Sequence, residues 1–212
     1  MRFRDRADAG RVLAARLTHL RDRRPVVIGL PRGGVPVAAE IAAALGAELD
    51  IVLVRKIGAP DREELAVGAV GEDGVTVRND IVLRDLGLSW ADLHAQVERE
   101  RAEIRRRAVS LRPNGPRSNL RDRTVIVVDD GIATGATVVA ALRVLRGLGA
   151  GTVVLAVPVA PADSLAALTP LADEIVCPIA PSQFSSVGEW FTDFAQVPDS
   201  EVRRLLALST VE

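Results

Sequence analysis

Residues 124–137 read T-V-I-V-V-D-D-G-I-A-T-G-A-T, and this stretch decides how the rest of the chain is interpreted. A run of β-branched residues ends abruptly at Asp129 and Asp130, a loop of small residues follows, and residues 138–148 have a helix-like apolar pattern. A short buried strand, a loop and a helix start are the parts with which an open α/β sheet binds ligands at the carboxyl ends of its strands. The sequence therefore predicts a ligand site at this turn.

The loop that follows the two acids has the composition of a phosphate site. Its residues are Ala133, Thr134, Gly135, Ala136 and Thr137. Small residues let the backbone approach a ligand, the threonines add hydroxyls, and successive N–H groups at a helix start point at an anion. Two adjacent carboxylates would repel a bare phosphate, but they can accept hydrogen bonds from sugar hydroxyls or approach Mg²⁺. The combination indicates a sugar phosphate as the ligand.

Composition excludes several classes of protein. A chain of 212 residues can bury one full core, and 48% apolar residues with a formal net charge of −1 argue against disorder and against nucleic-acid binding. One cysteine and two histidines exclude an internal disulfide and a Cys- or His-rich metal centre. No apolar run approaches the roughly 20 residues that span a bilayer. We therefore expect a soluble cytoplasmic protein without a membrane or nucleic-acid partner.

A second strand, loop and helix start lies near the N-terminus. The apolar residues 26–30 lead into Pro31, Arg32, Gly33 and Gly34, and an alanine-rich helix is predicted over residues 37–45. Taken alone, the paired glycine is also typical of an ordinary tight turn. Strands that alternate with helices along the chain predict an α/β fold, a doubly wound and mainly parallel sheet with helices on both faces. Both loops should then lie at one edge of that sheet.

The middle of the chain carries the remaining basic candidates. A strand predicted over residues 50–54 ends in Arg55 and Lys56, and Lys56 is the only lysine among 27 basic residues. A solvated strand end would also explain these charges, but a lysine in a chain rich in arginine favours a functional role. Residues 58–64 are polar and predict a flexible loop, and residues 65–77 predict a hairpin. The helix predicted over residues 89–108 has an apolar stripe that includes Ile104. Its other, charge-alternating face is interpreted as a solvated surface and not as an RNA-binding element.

The two loops together resemble the phosphoribosyl pyrophosphate signature of the type I phosphoribosyltransferases, in which four apolar residues and two acids precede a T-G-x-T loop. More narrowly, the chain is similar to bacterial phosphoribosyltransferase-domain proteins of unassigned substrate. The resemblance implies the type I fold as a single domain over residues 1–212. Its parts would be a core (about 24–58 and 85–180), a flexible hairpin excursion (about 58–80) and a C-terminal hood or tail (181–212).

The resemblance also implies the reaction and the role of each site residue. Phosphoribose would pass from phosphoribosyl pyrophosphate to a nitrogen acceptor, with Mg²⁺ as cofactor and pyrophosphate released, as in nucleotide salvage. The catalytic group would be Asp129, Asp130, Lys56 and Arg32. Asp129 and Asp130 would hold the ribose diol and meet Mg²⁺ largely through substrate and water, and residues 133–137 would bind the 5-phosphate. Pyrophosphate would contact Pro31, Arg32, Gly33, Gly34, Arg55 and Lys56, in a loop that often has a non-proline cis peptide in this family.

The acceptor is less constrained than the donor. In the 6-oxopurine transferases an aspartate stands three residues after the acidic pair, but this chain has Ala133, so a 6-oxopurine is less expected than another nucleobase. Glu63 or Glu64 could serve the acceptor. Trp190 or Phe191 could stack on a base, although an aromatic patch that docks the tail or forms a dimer contact explains them equally well.

Three alternatives to a nucleobase transferase remain open. One is a non-catalytic regulator that senses phosphoribosyl pyrophosphate. The others are a transferase with an amine acceptor and a phosphohydrolase. The sequence also leaves the oligomeric state open, a homodimer included.

Overall fold

A computed structural model describes residues 2–112 and 118–209 of the chain. Its main sheet has five strands, β1 (Val26–Gly29), β2 (Glu48–Ile51), β6 (Thr124–Val128), β7 (Thr152–Ala156) and β8 (Glu174–Val176). They lie in the order β2-β1-β6-β7-β8, and each pair of neighbours is parallel. The predicted doubly wound, mainly parallel sheet is therefore confirmed.

Seven α-helices flank the sheets within the described residues. They are α1 (Arg6–Arg16), α2 (Gly34–Leu45), α3 (Asp80–Asp85), α4 (His94–Leu111), α5 (Ala136–Gly147), α6 (Ala162–Leu168) and α7 (Asp199–Ser209). Shorter 3-10 turns cover Thr18–Arg23, Glu72–Gly74, Trp90–Leu93, Thr169–Leu171 and Val187–Trp190. α1 begins after Asp5, whose carboxylate accepts the Asp8 backbone N–H at 2.7 Å, and Gly46 ends α2 in the left-handed region.

The central strands are apolar on both faces because helices cover both faces. Along β6, Val125 and Val127 point to a core that includes α5, while Ile126 and Val128 point to a core that includes α1 and α2. All four are fully buried, and each such side chain stabilises the fold by roughly 1.5–3 kcal/mol. This continuous run of buried residues explains why the T-V-I-V-V stretch forms the middle strand of the sheet.

A second, antiparallel sheet follows β2. It shows that two predictions, the strand over residues 50–54 and the loop over residues 58–64, were wrong. Its strands are β3 (Val54–Ala59), β4 (Arg62–Gly71) and β5 (Thr76–Arg78), in that order. The C-terminal end of the strand predicted over residues 50–54 is wrong, because β2 ends at Ile51. Arg55 and Lys56 lie on the next strand, β3. The loop predicted over residues 58–64 is also wrong, because Ala59 pairs with Arg62 across a tight turn.

The other predicted features of this region have mixed outcomes. The hairpin predicted over residues 65–77 is confirmed as the β4–β5 pair. The helix predicted over residues 89–108 is divided, because Ser89 caps a 3-10 turn and α4 then runs from His94 to Leu111. Within the described ranges, no helix has both the length and the apolar character required to cross a membrane.

Candidate functional site

The two predicted loops lie side by side at the carboxyl edge of the main sheet. β1 and β6 are neighbours, with Gly29 opposite Val128. The ladder continues one residue beyond β1, where the Leu30 N–H donates to the Val128 carbonyl at 2.8 Å. The turn after β1 is therefore fixed directly against the residues that follow β6. The prediction that both loops share one edge is confirmed.

Glycines allow the first turn to pack onto the acid pair. A Cβ at Gly33 would overlap the Asp130 carboxylate, and one at Gly34 would overlap the Val128 carbonyl and lie 2.9 Å from the Asp129 Cα. Glycine is thus required for this close approach. The Pro31–Arg32 peptide bond is cis, as the family resemblance implied. The P-R-G-G segment is consequently in contact with the acids and not merely near them.

The two acids differ in their hydrogen bonds. Asp129 Oδ1 accepts the backbone N–H of Asp130 at 2.9 Å, whereas Asp130 Oδ2 accepts the Arg6 Nε–H at 2.8 Å. The Asp130 side chain is 15% exposed and that of Arg6 is 12% exposed, so this ion pair is largely shielded from solvent. The other carboxylate oxygens, Asp129 Oδ2 and Asp130 Oδ1, accept no hydrogen bond from the described residues.

Burial raises the pKa of both acids. It raises the pKa of Asp129 well above its ordinary value, and the neighbouring charge of Asp130 adds to the increase. Burial also raises the pKa of Asp130, although the hydrogen bond and charge of Arg6 oppose the rise. Two carboxylates with raised pKa values beside one cation form a candidate functional site, since structural acids more often gain enough donors to stay ionised.

Arg6 is a site residue that the sequence did not reveal. Its guanidinium lies 3.9 Å from the centre of the Phe194 ring and donates to the Ala195 carbonyl at 2.8 Å, besides its bond to Asp130. These contacts join the start of α1 to the C-terminal segment across the acid pair. Because 124 residues separate Arg6 from Asp130 in sequence, no local motif could indicate the pair.

The aromatic residues near the C-terminus dock the N-terminal segment. Phe191 is 2% exposed, and its ring lies 5.5 Å from that of Phe3 and 4.9 Å from that of Phe194. Stacking of an acceptor on Phe191 is therefore contradicted, because both neighbouring rings cover it. Trp190 is half-buried, and its carbonyl accepts the Phe3 N–H at 2.9 Å. Phe191 instead packs between Phe3 of the N-terminal segment and Phe194.

The side chains of Glu63 and Glu64 lie outside the described part of the structure. Their backbone belongs to β4, whose first residue pairs with the last residue of β3. Their assignment to the acceptor therefore stays a prediction.

The small-residue loop leads into α5 with its backbone donors available. Gly135 precedes the helix with φ of 76°, and no side chain caps the N-terminus. Because the first N–H groups of a helix lack partners within it, this end can donate to an anion. Thr134 and Thr137 are exposed, and the Ala133 carbonyl is held by the Ser164 hydroxyl at 2.7 Å. The loop thus has the open, donor-rich form expected of a phosphate cradle.

A cavity of about 400 Å³ connects the loops to the second sheet. Pro31, Arg55, Lys56 and Thr137 all line it, so residues predicted to bind pyrophosphate and 5-phosphate share one space. Asp129 and Asp130 are not among the described residues that line it. Asp130 instead lies against Gly33 and bonds to Arg6.

Arg32 faces a neighbouring cavity of about 350 Å³. Its Nη1 lies 3.6 Å from Asp199 Oδ1, at the start of α7, and Pro31 separates it from the first cavity. The basic residues assigned to pyrophosphate are thus divided between two spaces. Sequence reasoning also missed the helix α4, which lines both through Arg107.

The acid pair suits a magnesium ion that arrives with its ligand. No group of three or more His, Cys, Asp or Glu residues in the described ranges could hold a metal by itself. Mg²⁺ keeps several waters and is commonly bound by one or two carboxylates together with substrate phosphates. Asp129 and Asp130, with acceptor oxygens still available, fit this mode.

Comparison with known proteins identifies close relatives. Residues 5–189 match the phosphoribosyl transferase domain family. A Mycobacterium tuberculosis H37Rv protein named "Putative phosphoribosyl transferase Rv0571c" is 50% identical over 200 residues. That match covers 94% of this chain and 45% of the relative, so the chain spans less than half the length of the curated relatives it matches.

Solved structures show the same fold. TT1426 from Thermus thermophilus is 46% identical with a TM-score of 0.91, and the match covers 97% of this chain and 98% of that one. A hypothetical protein from Neisseria gonorrhoeae with bound ppGpp is 16% identical with a TM-score of 0.52, over 98% of each chain. This second likeness concerns the fold alone.

Proposed function

Because the chain belongs to the family of phosphoribosyl transferase domains, we propose that it transfers phosphoribose from phosphoribosyl pyrophosphate to a small nitrogenous acceptor. The observation that carries the proposal is the contact between the two loops. Gly33 and Gly34 pack against the acids that follow β6, and one cavity joins Pro31 to Lys56 and Thr137. This arrangement offers donors for phosphates and acceptors for a diol at one edge of the sheet.

The proposed reaction displaces pyrophosphate from the anomeric carbon through an oxocarbenium-like state. The open end of α5 and the hydroxyls of Thr134 and Thr137 would bind the 5-phosphate. Asp129 and Asp130 would accept hydrogen bonds from the ribose hydroxyls, and their negative charge would favour the positive charge that develops on the ring. Asp130 would accept the diol through Oδ1 while Oδ2 keeps its bond to Arg6.

The departing pyrophosphate would be stabilised by cations from several elements. Lys56 and Arg55 are placed on β3 at the cavity, and Arg32 lies in the turn after β1. Mg²⁺, held by the substrate, water and the acid pair, would neutralise part of the phosphate charge when bound.

A nucleobase other than a 6-oxopurine is our proposed acceptor, in a reaction of nucleotide salvage. Ala133 follows the acids where an aspartate would be expected for a 6-oxopurine, and Glu63 or Glu64 remains our proposal for an acceptor carboxylate. We further propose that residues 1–212 form one domain in which β3–β5 are the excursion over the site. Residues 181–212 would be its hood.

A panel assay tests the transferase. The protein would be incubated with phosphoribosyl pyrophosphate, Mg²⁺ and one of a series of nucleobases or simple amines, and pyrophosphate would be measured. We expect steady pyrophosphate release with at least one nitrogen acceptor, together with the ribosylated product. Tight binding of phosphoribosyl pyrophosphate without turnover on any acceptor would contradict the transferase.

A sensor of phosphoribosyl pyrophosphate is a second candidate, favoured by one feature of the site. Arg6 pairs with Asp130, and Asp199 pairs with Arg32. Arg6, near the N-terminus, and Asp199, near the C-terminus, therefore form ion pairs with site residues. A ligand that breaks these ion pairs would move both terminal segments. Ligand binding that shifts the tryptophan fluorescence without pyrophosphate release would support this candidate.

A further inference from the structure

The helix α4 presents one charged face to the 400 Å³ cavity. Glu100, Ile104 and Arg107 recur at helical spacing and all line the cavity, and Ile104 is buried at 3% exposure. Ile104 anchors this face by packing and its two charged residues are partly buried, whereas Arg105 is on the exposed side of the helix. The predicted apolar stripe through Ile104 is confirmed, and Arg107, which was predicted on the solvated face, lines the cavity.

The acids of α4 are already paired with other arginines. Glu103 makes two hydrogen bonds with Arg106, at 2.7 and 2.8 Å, and lies 3.5 Å from Arg55. Glu100 lies 3.7 Å from Arg55. Arg107 makes no salt bridge with any residue in ranges 2–112 and 118–209, although the charge of Glu103 reaches it. The cation that α4 contributes to this cavity is therefore not neutralised by a salt bridge within those ranges.

Arg107 also occupies the boundary between the two cavities. The first cavity contains Lys56 but not Arg32, and the second contains Arg32 but not Lys56, whereas Arg107 and Pro31 line both. In the first cavity, three cations face one acid, since Arg55, Lys56 and Arg107 line it together with Glu100. Such an excess of positive charge around a space of this size suits a phosphate group.

We propose that Arg107 binds the pyrophosphate group of phosphoribosyl pyrophosphate and joins the two sets of basic residues into one site. This inference rests on the proposed function and adds a residue from outside the signature loops. A guanidinium can donate two parallel hydrogen bonds to phosphate oxygens, which an ammonium cannot reproduce. Arg107 would bind the leaving group both before and after the bond to the anomeric carbon breaks.

Calorimetric titration of three ligands tests this role. Pyrophosphate with Mg²⁺, phosphoribosyl pyrophosphate with Mg²⁺, and ribose 5-phosphate would be titrated into the full chain, Arg107→Gln and Arg105→Gln. For Arg107→Gln we expect pyrophosphate affinity to fall about tenfold or more and ribose 5-phosphate affinity to stay unchanged. Arg105→Gln removes the same charge from the exposed side of the helix and should bind all three ligands like the parent.

The outcomes separate this inference from the function on which it rests. A parent protein that binds neither pyrophosphate nor phosphoribosyl pyrophosphate would overturn both. If the parent protein binds both ligands and Arg107→Gln binds pyrophosphate with the same affinity, only the role of Arg107 is overturned. Equal weakening of pyrophosphate and ribose 5-phosphate binding would also overturn it, because that result indicates a general change in the fold.

Discussion

The molecule contains two places where a pair of acids shares one arginine, and they are built differently. In the first, Arg112 lies between Asp50 and Glu72, and its Nε is 3.2 Å from Asp50 Oδ1. In the second, Arg6 pairs with Asp130, beside Asp129. All three side chains of the first cluster are at least 89% buried. The Arg6 and Asp130 side chains are 12% and 15% exposed, so both clusters are largely shielded from water.

The Arg112 cluster is rich in backbone donors. Asp50 accepts N–H groups from Ile51 and Ser118, each at 2.7 Å, and Glu72 accepts the N–H of Leu53 at 2.8 Å. These bonds tie β2, the turn after β4 and the end of α4 together. Buried carboxylates with several donors act as structural links between elements.

The Arg6 cluster has fewer backbone donors. In the described part of the chain, one backbone N–H and one guanidinium serve the two acids, and burial raises the pKa of both. The comparison indicates that buried acids are functional candidates when some of their carboxylate oxygens accept no hydrogen bond from the protein.

The largest expected effect is on turnover. Asp130→Asn should lower the rate of pyrophosphate release about a thousandfold, equivalent to ~4 kcal/mol, because the amide removes negative charge beside the developing cation. The melting temperature should stay close to that of the parent. Asp163→Asn, at an exposed position on α6, is the control and should retain full activity. Unchanged turnover in Asp130→Asn would refute the diol assignment.

Removal of the two arginines should affect stability unequally. Arg112→Met leaves two buried acids without their cation and should reduce the free energy of unfolding by about 3 kcal/mol or more. Arg6→Met should cost only about 1 kcal/mol, because acids whose pKa values are already raised can take up a proton. Urea unfolding of both variants measures the difference, and equal losses would contradict the distinction between the clusters.

Substitution of the only lysine should weaken binding of the donor. Lys56→Ala should reduce the affinity for phosphoribosyl pyrophosphate about tenfold, since it removes a cation that lines the cavity. Arg78→Ala removes a charge from the same small sheet at an exposed position and should bind like the parent. Parental affinity in Lys56→Ala would show that its role was wrongly assigned.

The smallest expected effect is on the pH dependence of stability. Acids with raised pKa values hold protons in the folded state that the unfolded state has released, so stability falls as pH rises from about 3.8 through the folded-state pKa values. Asp129→Asn removes the charge that burial disfavours. At neutral pH this variant should gain about 1 kcal/mol, or roughly 2–4 °C in melting temperature. A lower melting temperature would contradict the prediction.

Much of the fold was predictable because its signals are local. The β-branched run of residues 124–128 specified a buried strand, and the acids and small residues that follow specified the turn. The P-R-G-G segment specified the second turn by the same logic. Adjacent strands then placed the loops at one edge, because parallel strands all end on the same side.

The features that sequence reasoning missed depend on distant contacts. The polar residues 58–64 looked like a loop, yet β3 and β4 form there because Ile57 and Val67 are buried against the helices. Arg6 reaches Asp130 only after the N-terminal segment docks on the aromatic cluster. Helical spacing places Arg107 near the face of Ile104, but only the packing of α4 shows that this face lines a cavity.

The most direct test of the proposed site is the binding of phosphoribosyl pyrophosphate with Mg²⁺, measured by calorimetry in the parent, Asp130→Asn and Asp163→Asn. We predict one bound molecule per chain in the parent and in Asp163→Asn, and an affinity at least about tenfold lower in Asp130→Asn at an unchanged melting temperature. Equal affinity in all three proteins, or no binding in the parent, would contradict a site in which the acids after β6 hold the sugar.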